Sequence, residues 1–275
     1  MANPARLLVA GLLLAIAFVA RAADPIAFVS DFKGEVAMNG GGRPPFLAEL
    51  LPGTKLALGA GATVAVMFVV TGEEYSLKGP GEFVVTKEGV KATKGTAPAS
   101  RMPAVRPSVA TVVETSKTAT ASLRMRSAPG HRAARPGAVY PVNTKIATLQ
   151  PTLRWSGDAG ATYAVVVTSV SGKEVYRGSS RGNSLRLPVK LVADQGYTWA
   201  CSAGDAIVAE ARFETLSADA IAGAEKSRAG AKSFPDRVLL ALSLQDLGAA
   251  QDAKDVWAQL AAERPDIPEL AGLAR

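Results

Sequence analysis

Between residues 26 and 92 no apolar run continues far before a glycine breaks it, and this punctuation limits the fold more than any other feature of the chain. Short β-type runs at 26–30, 34–38, 63–70, 74–77, 83–86 and 90–92 alternate with turn signals at Asn39-Gly40-Gly41-Gly42, Pro52-Gly53, Gly59-Ala60-Gly61, Thr71-Gly72 and Gly79-Pro80-Gly81. Helices of ordinary length do not fit between such breaks, whereas many short strands at this spacing make an antiparallel sandwich or barrel.

Along 64–70, Val64, Val66, Phe68 and Val70 point one way and Ala65, Met67 and Val69 the other. Both faces are apolar, so this strand is expected to be central and covered on both sides. The order Gly34-x-Val36, Leu51-x-Gly53-x-x-Leu56, Gly59-Ala60-Gly61-Ala62 leading into Val64-x-Val66-x-Phe68, then Gly72, Tyr75-x-Leu77, Gly79-Pro80-Gly81 and Phe83-x-Val85, resembles the FecR-type periplasmic β domain across residues 25–95. In the best-known members that domain follows a cytoplasmic anti-sigma segment and a membrane helix, and relays the occupancy of an outer-membrane siderophore receptor. Here six residues precede the apolar run at 7–20, which leaves no room for a cytoplasmic half. The resemblance therefore implies a periplasmic adaptor; a component of a transmembrane or iron-uptake-type signalling system is the alternative.

A second β segment is expected over 140–215, with strands at 151–155, 162–168, 173–177, 184–187, 197–202 and 207–214. Its Pro151-x-x-x-Trp155 opening, Tyr163 before Val165 and Val167, the stretch from Leu191 to Gly196-Tyr197-x-Trp199, and Phe213 near the close are similar to a fibronectin type III or related immunoglobulin-like sandwich. Trp155, Tyr197 and Trp199 alternate with smaller neighbours, which assigns them to a core; exposed instead, they would form a platform for stacking on a sugar ring, making the unit a carbohydrate-binding module. Cys201 shares their face and is the only cysteine, so an internal disulfide is impossible; core packing is expected, with an intermolecular bridge as the alternative.

From 216 to 275 the chain turns alanine- and leucine-rich. Helices are expected from the Ser217-Ala218-Asp219 cap, after Ser233-Phe234-Pro235 with serine as cap and proline in the first turn, and from about 250 to a stop before Pro265. The series Leu240, Ala241, Leu244, Gly248, Ala253, Trp257, Leu260, Pro265 resembles one tetratricopeptide unit, with small residues where two helices cross and Trp257 filling the gap. One unit makes no extended groove, so it should dock on a neighbouring sandwich or on another protein. The fold class is thus mainly β: two small antiparallel sandwich- or barrel-like domains followed by a C-terminal α-helical segment.

The formal charge of +7 is not spread over these domains. Lys94, Arg101, Arg106, Lys117, Arg124, Arg126, Arg132 and Arg135 face one acid, Glu114, so the segment 93–139 carries the whole of it. Residues 96–139, rich in Pro, Ala, Ser and Thr, are expected to be an extended or mobile basic linker, with Arg101, Arg106, Arg124, Arg126, Arg132 and Arg135 as candidate contacts to an acidic envelope surface. Nucleic acid is not expected as a partner, because neither a recognition helix nor interleaved aromatics accompany these charges.

Arg6, the apolar run at 7–20 and the small-x-small Ala20-Arg21-Ala22 form a signal peptide over residues 1–22, with cleavage expected after Ala22. As a helix the run would reach about 21 Å, short of the roughly 30 Å hydrocarbon core, so no stable membrane insertion is expected after cleavage. No cysteine follows the run to carry a lipid, and the expected location is the periplasm, not as a lipoprotein.

Chemistry is hard to assemble from what remains. His131 lies in the linker without a second histidine or a nearby cysteine, and Asn39-Gly40-Gly41-Gly42-Arg43 lacks the Lys-Ser/Thr ending of a phosphate loop and is expected to be a hairpin turn. Glu73 and Glu74 are adjacent on a strand and point apart, while Asp252 and Asp255 are expected on a solvated helix face. The expectation is a non-enzymatic protein with no cofactor or metal, whose partner is an envelope protein or peptidoglycan.

Overall fold

A computed structural model of the chain describes residues 24–103, 105, 107–121 and 137–275. The expected signal peptide over 1–22, five of the eight basic residues of 93–139 (Arg106, Arg124, Arg126, Arg132 and Arg135) and His131 lie outside the described residues.

The first β unit has nine strands: β1 (Ala27–Lys33), β2 (Val36–Met38), β3 (Glu49–Leu50), β4 (Lys55–Leu58), β5 (Thr63–Phe68), β6 (Glu74–Lys78), β7 (Gly81–Thr86), β8 (Gly89–Lys94) and β9 (Ala99–Arg101). They form two antiparallel sheets, ordered β3-β1-β5-β6-β9 and β2-β4-β7-β8, and neither closes into a barrel. As its two-sided apolar pattern requires, β5 is the middle strand of its sheet and is buried from Val64 through Phe68. Residues 39–42 do turn, with Gly41 N–H donating to the Met38 carbonyl at 2.9 Å, but they do not make a hairpin, because β2 pairs with β4. Gly79 shows why glycine is needed at one close approach: a Cβ there would sit 2.0 Å from the Gly59 carbonyl oxygen.

The second β unit contains β10 (Ala138–Tyr140), β11 (Thr144–Ile146), β12 (Thr152–Trp155), β13 (Thr162–Ser169), β14 (Glu174–Arg181), β15 (Ser184–Arg186), β16 (Gly196–Ala203) and β17 (Ala206–Thr215). One sheet runs β10-β12-β15, the other β11-β17-β16-β13-β14, and Leu153, Trp155, Val165, Val167, Trp199 and Phe213 join them in a core separate from that of the first unit. The chain crosses between sheets at Pro141-Val142-Asn143, so β10 pairs antiparallel with β12 while β11 pairs parallel with β17. That parallel pair is an exception to the all-antiparallel expectation.

Five helices complete the described chain: α1 (Val109–Ala121), α2 (Ala218–Gly230), α3 (Phe234–Asp246), α4 (Ala250–Glu263) and α5 (Glu269–Leu273). Ser217 caps α2, and Ser233 forms a reciprocal capping box with Asp236 at the start of α3, with Pro235 in its first turn. Composition makes 96–139 an extended linker, yet the structure places β9 and α1 within it. The reason lies in spacing: Val112, Thr115, Ser116 and Ala119 fall at i, i+3, i+4 and i+7 and are all buried, giving α1 a narrow stripe of small side chains that average composition conceals.

The helical segment is not a free tail. Val238, Leu239, Leu242, Trp257, Leu260 and Leu270 belong to the same apolar cluster as Phe28, Phe46, Val66 and Met67 of the first unit. The β1-containing sheet is thus a middle layer, packed on one face by the β2-containing sheet and on the other by helices from the end of the chain.

Candidate functional site

Arg101, expected to reach an external acidic surface, is 42% exposed but has its guanidinium engaged by carboxylates of its own chain. The β6–β9 register sets it opposite Glu74, and its Nε donates to Glu74 Oε1 at 2.8 Å while a terminal nitrogen lies 2.8 Å from Asp236 Oδ1. One guanidinium thereby ties the middle sheet to the first turn of α3. Desolvation pushes the Glu74 carboxyl above the usual carboxylate range in spite of Arg101, and Glu74 Oε2 is buried without a partner. Burial acts upward on Asp236 too, but hydrogen bonds from Ser233 and Arg101 outweigh it and hold that carboxyl below its ordinary value. A cleft of about 290 Å³ opens beside this group, lined by Asp31, Ser76, Lys78 and Ser233 among others.

A second guanidinium closes the same seam. Arg264, at the C-terminus of α4, pairs with Asp31 of β1 at 2.6 Å, donates to the Phe32 carbonyl at 2.8 Å and grips Asp266 through two nitrogens at 2.8 Å. The hydrogen bonds from Arg264 hold the Asp266 carboxyl down at about 2.

The other β unit meets the helices across a polar seam. Asp252 and Asp255 do not share a solvated face: Asp252 is partly buried, accepting from Tyr140 Oη at 2.7 Å and Ala147 N at 3.0 Å and pairing with Arg228, whereas Asp255 is exposed and reaches Arg154 at 3.0 Å. Gln251 accepts from Val142 N and donates to the Val139 carbonyl. The first turn of α4 is therefore a bracket for the β10–β11 crossover, and its apolar side, through Ala253, Trp257 and Leu260, is embedded in the first unit. A cleft of about 510 Å³ lies along this seam, between Asn143, Lys145, Arg212, Glu214 and Gly248.

The aromatic residues do not form a sugar platform. Trp155, Tyr197 and Trp199 are at most 2% exposed, and Trp199 Nε1 donates to the Pro141 carbonyl at 2.8 Å inside the protein. Cys201 is 1% exposed, out of reach of a second chain, and burial pushes its thiol up to about 11. Among the described residues no three His, Cys, Asp or Glu side chains converge as metal ligands, and no helix is long and apolar enough to cross a membrane.

Arg101 is thus the one candidate docking arginine the structure describes, and its role is internal. The residues that join the units, Glu74, Asp236, Arg264 and Asp252, carry no sequence signal beyond the Ser233 cap that announces the turn containing Asp236. Replacing the Glu74 carboxyl by an amide tests the balance. With a folded-state pKa above the unfolded one, Glu74 adds stability as pH falls and subtracts from it at neutral pH. Glu74→Gln is expected to keep the acceptor for Arg101 and to leave the urea midpoint at pH 7 unchanged or higher; a loss above about 2 kcal/mol would show that the charged carboxylate is needed. No protein-family model matches the chain, and no curated protein matches it.

Proposed function

We propose that this chain is a non-catalytic, periplasmic adaptor that binds an envelope protein or peptidoglycan through its β units. The first β unit is taken as FecR-like, the second as immunoglobulin- or fibronectin III-like, and the α3–α4 pair as a single tetratricopeptide-like unit. The observation that carries the reading is the way α4 is used. One of its faces is fused to the first unit by apolar packing and the other is bracketed to the second unit by hydrogen bonds and ion pairs, so two open β surfaces are held on one support. Protein groups presented in this way suit a scaffold that touches a partner at more than one place.

The sandwich assignment draws on particulars. The first strand is split between sheets, the last strand pairs with its second half, and Tyr197 at the start of β16 receives a hydrogen bond from Val192 N at 2.8 Å, the corner typical of such domains. For the helical pair, Ala241 and Ala253 are fully buried and Trp257 fills the gap.

Incubation of the purified protein with isolated sacculi, and separately with detergent-solubilised envelope extract, tests the reading. Retention on sacculi or recovery of a specific crosslinked envelope protein is expected. Retention by neither overturns it.

A further inference from the structure

The outer face of the five-stranded sheet in the second unit carries two rows of side chains whose order is fixed by strand register. One row reads Arg177, Val166, Ala200, Glu210 from β14 across β13 and β16 to β17; the next reads Glu174, Thr168, Thr198, Arg212. Each row therefore has a small, partly exposed centre and opposite charges at its ends, and the sign is reversed between the two rows. Arg177 and Glu174 already pair with each other along β14, but the bond is exposed and worth little, so it exchanges readily for a partner across an interface.

We propose that this face docks against a second copy of the chain about a two-fold axis lying in the interface parallel to the strands. Rotation about that axis reverses each row end for end without moving it along the strand. Arg177 of one copy then meets Glu210 of the other, Glu174 meets Arg212, Val166 packs over Ala200, and Thr168 over Thr198. Both rows are satisfied at once, and every contact occurs twice, as an isologous interface demands. Threonine, alanine and valine at the centre allow two sheets to approach face to face in the aligned manner of a sandwich.

The size of the face sets the strength. Five strands at about 4.8 Å spacing and roughly six residues of length give about 20 Å by 20 Å, or about 400 Å² per copy. That is near half of the roughly 800 Å² per partner in a standard stable interface, so the association is weak and governed by concentration.

Sedimentation equilibrium of the purified protein over a concentration series tests this directly. The average mass is expected to climb from one chain toward two. Arg177→Glu and Glu210→Arg should each weaken the association by about tenfold or more, while an equimolar mixture of the two variants restores it, because the heterodimer again has opposite charges at both contacts. Glu174→Arg and Arg212→Glu repeat the test on the second row, and Ala200→Arg should abolish association by blocking the centre; circular dichroism checks that each variant is folded. A single-chain mass at every concentration overturns the proposal. So does association that the folded variants leave unchanged, or a mixture that associates no better than its components.

Discussion

Trp257→Ala is expected to remove most of the protein's stability and to unfold the first β unit together with the helices. The indole is fully buried on α4, its ring meets Phe46 edge-on at 6.2 Å between centroids, and Nε1 faces Gln245 Oε1 at 3.3 Å. Truncation at a buried tryptophan costs about 3–5 kcal/mol, against a total of roughly 5–15 kcal/mol for a folded domain. Because Trp257 and Phe46 lie in one apolar cluster, loss of helix signal and loss of β structure should coincide in a urea titration. Helices that melt in a separate, earlier transition, with the first unit left intact, would contradict a shared core. The second unit has its own cluster around Trp199, and its resistance to proteolysis is expected to survive the substitution.

Arg264→Leu ranks next. It strips the guanidinium from Asp31, which is 13% exposed, and from the Phe32 carbonyl, leaving both in a seam that water barely enters. Breaking a buried pair from one side costs about 3–5 kcal/mol, most of it the penalty of the charge left behind. Adding Asp31→Leu to Arg264→Leu is therefore expected to return part of the loss, and Arg264→Lys to fall between, since a lysine keeps the charge but not the fork that serves Asp31, Phe32 and Asp266 together. The lowered Asp266 carboxyl makes a contribution present above its unfolded pKa and lost as pH falls toward about 2, so the gap between wild type and Arg264→Leu should narrow in acid. A double variant less stable than Arg264→Leu alone would show that the stranded charge is not the source of the loss.

Much of the β architecture is legible in the residues because glycine breaks and two-residue alternation are local signals. The pattern from Val64 to Phe68 finds the central strand, and Trp199 and Cys201 fall on the buried face that alternation assigns them. The strands β3, β9, β10 and β11 span two or three residues each, too short for any period to show, and β4 has only Leu56 and Leu58 to mark it. Helix α1 is hidden by its chemistry: a buried stripe of valine, alanine, serine and threonine in a segment whose arginines dominate the composition. The partnerships are harder still. Nothing local to Phe46, Arg101 or Asp31 says that the matching surface is α3 or α4, because distance along the chain carries no information on which apolar faces meet. The internal role of Arg101 follows only when strand register brings it beside a buried glutamate.

The middle layer has a consequence in time. Synthesis runs from the N-terminus, and at about 5–20 residues per second the helices that cover this sheet emerge roughly 10–30 s after its last strand. Through that interval the sheet face destined for Leu239, Trp257 and Leu270 has no cover, and a chain that stops early never gains one. A chain cut before α3 is therefore expected to be cleaved within residues 24–103 by a protease dose that leaves the full chain intact.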